Sequence, residues 1–110
     1  HFWADPGIWT LPPTIDSAVF DQAVNGGTTA AIRLLQRSCT RAGFRLNDDG
    51  DLGPLTRKAV DQACARNKGR LLEIYRQEAA NRYRAIVGVD PAQSRFLNGW
   101  LRRARELGDV

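Results

Sequence analysis

Few side chains in this chain have the makings of chemistry, and each set has to be weighed against a plainer role. Glu73, Glu78 and Glu106 are the only glutamates. Glycoside cleavage by general acid catalysis needs a carboxylic acid kept protonated in a semi-apolar cleft, often with a second carboxylate opposite. Each glutamate instead falls on a predicted helix among arginines, and Glu73 with Gln77 and Glu78 with Arg82 stand at the i,i+4 spacing of surface pairs. No catalytic residue is assigned. The run Asn47-Asp48-Asp49-Gly50-Asp51 invites a calcium reading. With Gly50 at the sixth place of an EF-hand loop, the first falls on Arg45 and the twelfth on Thr56, where an Asp and a bidentate Glu are needed. The run reads better as a turn whose Asp side chains accept backbone N–H bonds near the start of the next helix.

His1 is the only histidine, which removes Ser–His and Cys–His nucleophilic chemistry and any ordinary zinc site. Gly26-Gly27 lacks the spacing of a phosphate-binding loop. No metal and no cofactor are expected. Cys39 and Cys64 fall on apolar helix faces near the C-terminal ends of helices expected to pack antiparallel, too far apart to bridge, so both read as buried free thiols.

The net charge of +4 suits an anionic partner, but the basic residues are spread over several helices as on solvated faces. A DNA-binding helix-turn-helix is disfavoured. The connection between the central helices is about ten residues long and acidic, rather than a turn of about three or four. Carboxylates there would repel phosphates, and no nucleic-acid partner is expected. No apolar run approaches the roughly 18–20 residues that span a bilayer, and no signal peptide is visible. The chain starts His1-Phe2-Trp3 and has no methionine, which suggests a segment of a longer protein.

The elements that must position these groups follow from periodicity and breakers. Residues 1–14 form an extended proline- and tryptophan-rich segment, with Asp5-Pro6-Gly7 as a turn and the tryptophans lying against the body. Residues 15–110 form one helical domain. Thr14 or Asp16 caps a helix from Ile15 to about Val24, with Val19, Phe20, Ala23 and Val24 at helical spacing. Thr28 or Thr29 caps a second helix to about Ala42, with Ile32, Leu35, Cys39 and Ala42 on one face and Gly43 as its stop. Pro54 starts a third, carrying Leu55, Ala59, Val60, Ala63 and Cys64, to about Arg66. Asn67-Lys68-Gly69 reads as a turn before a helix from Arg70 to Val87, and Asp90-Pro91 opens the last, with Phe96, Leu97, Trp100, Leu101, Ala104 and Leu107. The fold class is all-α, about five helices around a helix–loop–helix, and a monomer is expected.

The stretch Ala31–Val60 resembles the helical peptidoglycan-binding domain. The pieces are Leu35-Gln36, Gly43-Phe44, Asp49-Gly50-Asp51-Leu52-Gly53-Pro54-Leu55-Thr56 and Ala59-Val60, whose loop matches the pattern D-G-x-x-G-x-x-T. Gly50 and Gly53 permit tight backbone geometry, and Thr56 can bond within the loop to fix the helix start. More broadly, Phe2-Trp3, Leu11-Pro12, Phe20-Asp21-x-Ala23-Val24-Asn25-x-Gly27, Tyr75 and the run Phe96 to Arg103 resemble the C-terminal part of glycoside hydrolase family 108 lysozymes. That family includes phage endolysins and secretion-activator-type muramidases. Its catalytic glutamate lies in a Glu-Gly-Gly motif, which this chain lacks.

The resemblance therefore implies a peptidoglycan-binding portion of a muramidase, acting in the bacterial envelope or periplasm or as a phage lysis protein, with no catalytic position to carry over. Asp21 and Asn25, one turn apart, could face a glycan cleft, or Asn25 could cap its helix while Asp21 is solvated. Asp49, Asp51 and Thr56 could contact wall peptide or sugar hydroxyls, or simply build the loop. Phe44, Tyr83 and Trp100 could stack on sugar faces, although Tyr83 and Trp100 also stand at core spacing. Two other readings stay open: an active muramidase acting through a discounted carboxylate, and a helical adaptor binding protein through its basic face.

Overall fold

The computed structural model describes residues 7–108, apart from the side chain of Trp9. The expected turn at Asp5-Pro6-Gly7 and the packing of Trp3 and Trp9 lie outside the described residues. A short 3-10 turn, Ile8–Thr10, precedes four α-helices: α1 (Ile15–Gly26), α2 (Thr28–Arg41), α3 (Pro54–Val89) and α4 (Leu97–Arg105). A second 3-10 segment, Pro91–Phe96, joins α3 to α4. The described residues contain no strand, and the fold is all-α.

The helix count is four rather than about five because the expected turn at Asn67-Lys68-Gly69 is only a break within α3. Asn67 is extended (φ −168°, ψ 92°), and its side-chain oxygen accepts the backbone N–H of Arg70 at 3.1 Å. The amide thus caps the second half of the helix, so the chain bends without leaving helical structure for long. The start of the last helix is likewise tightened. Asp90 accepts the N–H of Ala92 at 3.2 Å, as an N-cap before Pro91 should, but the first turns are 3-10.

The other helix ends show both agreement and correction. Gly43 has φ +101°, with Phe44 N–H on the Cys39 carbonyl at 2.8 Å and Gly43 N–H on the Thr40 carbonyl at 3.1 Å. This pair of bonds is the Schellman stop that only a residue free of a Cβ makes cheaply. Gly27, not Thr28 or Thr29, is the N-cap of α2, and Thr14 sits at the N-cap of α1 with φ 78° and no side-chain capping bond.

One core joins the first 3-10 turn and the four helices. Ile8 and Leu11 pack with Ile15, Val19, Ile32, Leu35, Val60, Leu71, Tyr75 and Leu107. Two tyrosines on α3 bury their rings and spend their hydroxyls on other helices: Tyr75 on the Ala31 carbonyl at 3.0 Å and Tyr83 on Gln22 Oε1 at 3.3 Å. Arg76 ties α3 to the end of the last helix through the Leu107 carbonyl at 2.8 Å. Cys39 is buried and its thiol is pushed up to about 12, first by desolvation and then by the nearby Cys64; both cysteines are free. Cys64 is only partly buried, because its helix face is not fully covered.

Three apolar residues expected in the stripes are exposed: Leu55, Val24 and Phe96. Leu55 lies in the first turn of α3, where its neighbour Thr56 takes the buried place against Gln36, and Phe96 ends a 3-10 segment in which no residue is buried.

Candidate functional site

The acidic loop between α2 and α3 is built on one buried side chain, Gln36. Its Nε2 lies 2.9 Å from Asp49 Oδ1, 3.0 Å from the Asp51 carbonyl and 3.0 Å from Thr56 Oγ1, and its Oε1 accepts the Gly50 N–H at 2.9 Å. Asp49 Oδ1 also accepts the Asp51 N–H at 2.9 Å, the local Asx pattern expected of such a turn. The Thr56 hydroxyl, 4% exposed, donates back to the Asp51 carbonyl at 3.3 Å. Leu52 plugs the loop into the core. Gly50, at φ +78°, lies so close to α2 that a Cβ there would meet Thr29 Cγ2 at 2.7 Å.

These bonds also set the loop's electrostatics. The Asp51 N–H, and after it the Gln36 amide, hold the Asp49 carboxyl below its ordinary 3.8. Arg37 does the same for Asp48 through an exposed ion pair at 2.9 Å.

Of the loop residues singled out from the sequence, Thr56 is buried, Asp49 is exposed but spends its Oδ1 on bonds within the loop, and Asp51 keeps an exposed side chain. Phe44 is half-buried under the Arg66 guanidinium, 5.8 Å from the ring centroid. It stands between two depressions, one of about 450 Å³ lined by Asn47, Leu55, Lys58 and Gln62, the other of about 430 Å³ lined by Arg41, Arg66 and Arg70.

Asp21 and Asn25 belong to another part of the molecule. Asn25 donates to the Asp21 carbonyl at 2.9 Å, closing the last turn of α1, and the Asp21 carboxylate lies 3.8 Å from Arg103 with both side chains about half exposed. Asn25 and Gly26 line a depression of about 600 Å³ shared with the second half of α3 and with α4. The site candidates therefore fall in two groups, one at the loop and one at the α1–α3–α4 junction.

The glutamates show no general-acid environment. Glu73 and Glu106 are exposed, and Glu78 pairs with Arg41 at 2.8 Å. The expected i,i+4 pairs on α3 are replaced by contacts between helices: Arg41 also reaches Gln77 at 2.8 Å, and Arg82 donates to the Gly26 carbonyl at 3.3 Å. Docking of α2 and α1 brings these partners nearer than the next turn of α3. Among the described residues no group of His, Cys, Asp and Glu could hold a metal ion.

Sequence reasoning kept Gln36 only as part of a matching pattern and missed that it organises the loop. The available signal was a glutamine one residue past Leu35 and four past Ile32, inside the apolar stripe, where a buried amide must find partners.

A family model described as "Predicted Peptidoglycan domain" matches residues 30–105, which takes in the loop and all of α3 and α4, and the chain belongs to that family. No curated protein and no solved structure matches the chain. The family fits a location at the cell wall, and no helix among the described residues is long and apolar enough to cross a membrane.

Proposed function

We propose that this member of the peptidoglycan domain family binds bacterial cell-wall peptidoglycan, as the wall-holding portion of a lysozyme-like muramidase of the family 108 type. The observation that carries the reading is the family match over residues 30–105, which takes in the D-G-x-x-G-x-x-T loop that Gln36 holds together. Rigid loops favour binding because little conformational entropy is lost on contact. The wall lies against the surface beside that loop. Asp51 offers a carboxylate to sugar or peptide donors, Phe44 and the exposed Leu55 offer apolar faces, and Lys58 and Gln62 complete the depression between them. Asp49 and Thr56 shape this surface. Asp21 and Asn25 contribute at the α1 end.

The catalytic acid of the muramidase lies in a part other than these residues. The exposed positions of Glu73 and Glu106 and the ion pair of Glu78 support that assignment, and the setting is the bacterial envelope or phage-driven lysis. The test is co-sedimentation with purified peptidoglycan. The chain should pellet with the wall, and Asp51→Ala with Leu55→Ala should lower the bound fraction while leaving the circular dichroism unchanged. A chain that stays in the supernatant overturns the reading. Clearing of a wall suspension by this chain, abolished by Glu73→Gln, overturns the division between holding and cutting.

A further inference from the structure

The depression at the junction of α1, α3 and α4 has a composition that the loop does not share. Three aromatic rings run outward from the core in series. Tyr83 stacks on Trp100 with centroids 5.3 Å apart and planes at 27°, and Trp100 stacks on Phe96 at 5.7 Å and 28°. Tyr83 is buried and anchored through its hydroxyl to Gln22, Trp100 is half-buried, and Phe96 is 42% exposed. The outer end of the stack is thus an aromatic platform already fixed from behind, which meets a ligand with little rotamer entropy left to lose.

Arg82, Arg95, Arg102 and Arg103 stand around the platform, and no carboxylate lines the depression. Arg95 lies over the Phe96 ring at 4.8 Å, a cation–π contact that orients the guanidinium without neutralising it. Among the described residues only Arg103 of the four has an ion-pair partner, the half-exposed Asp21 at 3.8 Å. Gly26 forms part of the wall. A Cβ there would come within 2.3 Å of Arg82 Nη1, so the missing side chain is what lets Arg82 lie across the end of α1. Like charges gathered in one hollow repel, and an anion seated among them relieves that repulsion.

We infer that this depression is a second wall-binding site, which takes the carboxylate-bearing stem peptide of peptidoglycan, with the arginines on the carboxylates and Phe96 and Trp100 beneath the apolar face of the adjoining sugar or peptide. The inference rests on the peptidoglycan reading and names the part of the polymer recognised. Guanidinium forks match carboxylates in geometry as well as charge, and sugar rings present C–H faces that suit aromatic platforms. A nucleic acid also offers anions and flat rings, so it enters the test as a competitor.

The probes are a soluble disaccharide–tetrapeptide released from purified wall, the same wall glycan after enzymatic removal of its peptides, and a short single-stranded oligonucleotide. Binding is read by titration calorimetry. Wild-type protein should bind the disaccharide–tetrapeptide, with affinity falling as salt rises. It should bind the peptide-free glycan at least tenfold more weakly. Arg95→Ala with Arg102→Ala, both at exposed positions, should lower affinity for the disaccharide–tetrapeptide tenfold or more with an unchanged melting temperature, and Phe96→Ala should do so independently. Equal affinity of the double variant and wild type, or preference for the oligonucleotide, overturns the inference. Wild-type protein that pellets with intact wall yet ignores the disaccharide–tetrapeptide overturns it while leaving wall binding in place. Failure to pellet with wall at all strikes the peptidoglycan reading, and with it this one.

Discussion

The loop between α2 and α3 and the hollow between α3 and α4 handle their polar groups in opposite ways. In the loop, Gln36, Asp49, Gly50, Asp51 and Thr56 bond to one another, and the Thr56 hydroxyl is closed off from water. In the hollow, four guanidiniums gather with no carboxylate in the lining, and an aromatic ring reaches solvent; among the described residues only Arg103 of the four is in an ion pair, with Asp21 outside the lining. The residues of the short D-G-x-x-G-x-x-T pattern are thus mostly those that build, while the residues best placed to meet an anionic ligand stand outside that pattern, on the helices. A short recognisable motif marks where the backbone must be held, because geometry is what constrains glycines and capping side chains to fixed spacings. Contact residues on helix faces are free of that constraint.

Substitutions should separate the two regions by what they damage. The largest effect is expected from Gln36→Leu. It strands the Gly50 N–H and takes the amide donor away from Asp49, the Asp51 carbonyl and the buried Thr56 oxygen, a loss of about 3 kcal/mol and a melting temperature lower by roughly 10 °C or more. A variant that melts like wild type would show that water replaces the amide and that the loop is less closed than its bonds imply.

Gly50→Ala should come next, at about 1–2 kcal/mol for forcing a side chain into the left-handed region. The contact with the Thr29 methyl group adds to this, and denaturant titration would read the sum. Gly26→Ala tests the other region. The clash there is with the movable end of Arg82, so stability should change by less than about 1 kcal/mol, while affinity for the disaccharide–tetrapeptide falls. Equal losses of stability and binding would dissolve the contrast.

The smallest effect is the pH response. The folded carboxyls of Asp48 and Asp49 lie below the ordinary 3.8. Their contribution is therefore fully present above that value and is lost as pH falls through the folded values. Melting temperature should hold level from neutral pH to about 4 on this account and drop below it. Gln36→Leu should show a shallower drop, because one of the two donors on Asp49 is gone.

Much of the scaffold was legible in the sequence because its signals are local. Proline at the start of α3, the Gly43 stop and the Asp90 cap all act within a few residues, and each stands where its spacing put it. The apolar stripes placed the core through Ile32, Leu35, Val60 and Tyr75, but they also enrolled Leu55 and Phe96, which the packing leaves outside. Periodicity says which face a residue shares, not where along a helix the neighbour stops. The same limit hid Arg41 as the partner of Glu78 and the gathering of Arg82, Arg95 and Arg102, since those meetings arise only when separate helices dock. Gln36 was hidden for a different reason: its place in the apolar stripe marks a buried amide, but the partners it holds, from Asp49 to Thr56, lie beyond its own helix.

The break at Asn67 bears on how the domain opens. At that residue the backbone ladder of α3 is interrupted, and the Asn67 side chain starts the next stretch. The first half of the helix follows the Gln36-held loop, and the second half carries the two tyrosines that reach α1 and α2. A helix with an unbroken ladder frays from its ends, whereas one divided here can release its amides to deuterium in two blocks. The loop side and the arginine side then exchange as separate cooperative units, and a ligand seated on one would slow exchange there without freezing the other.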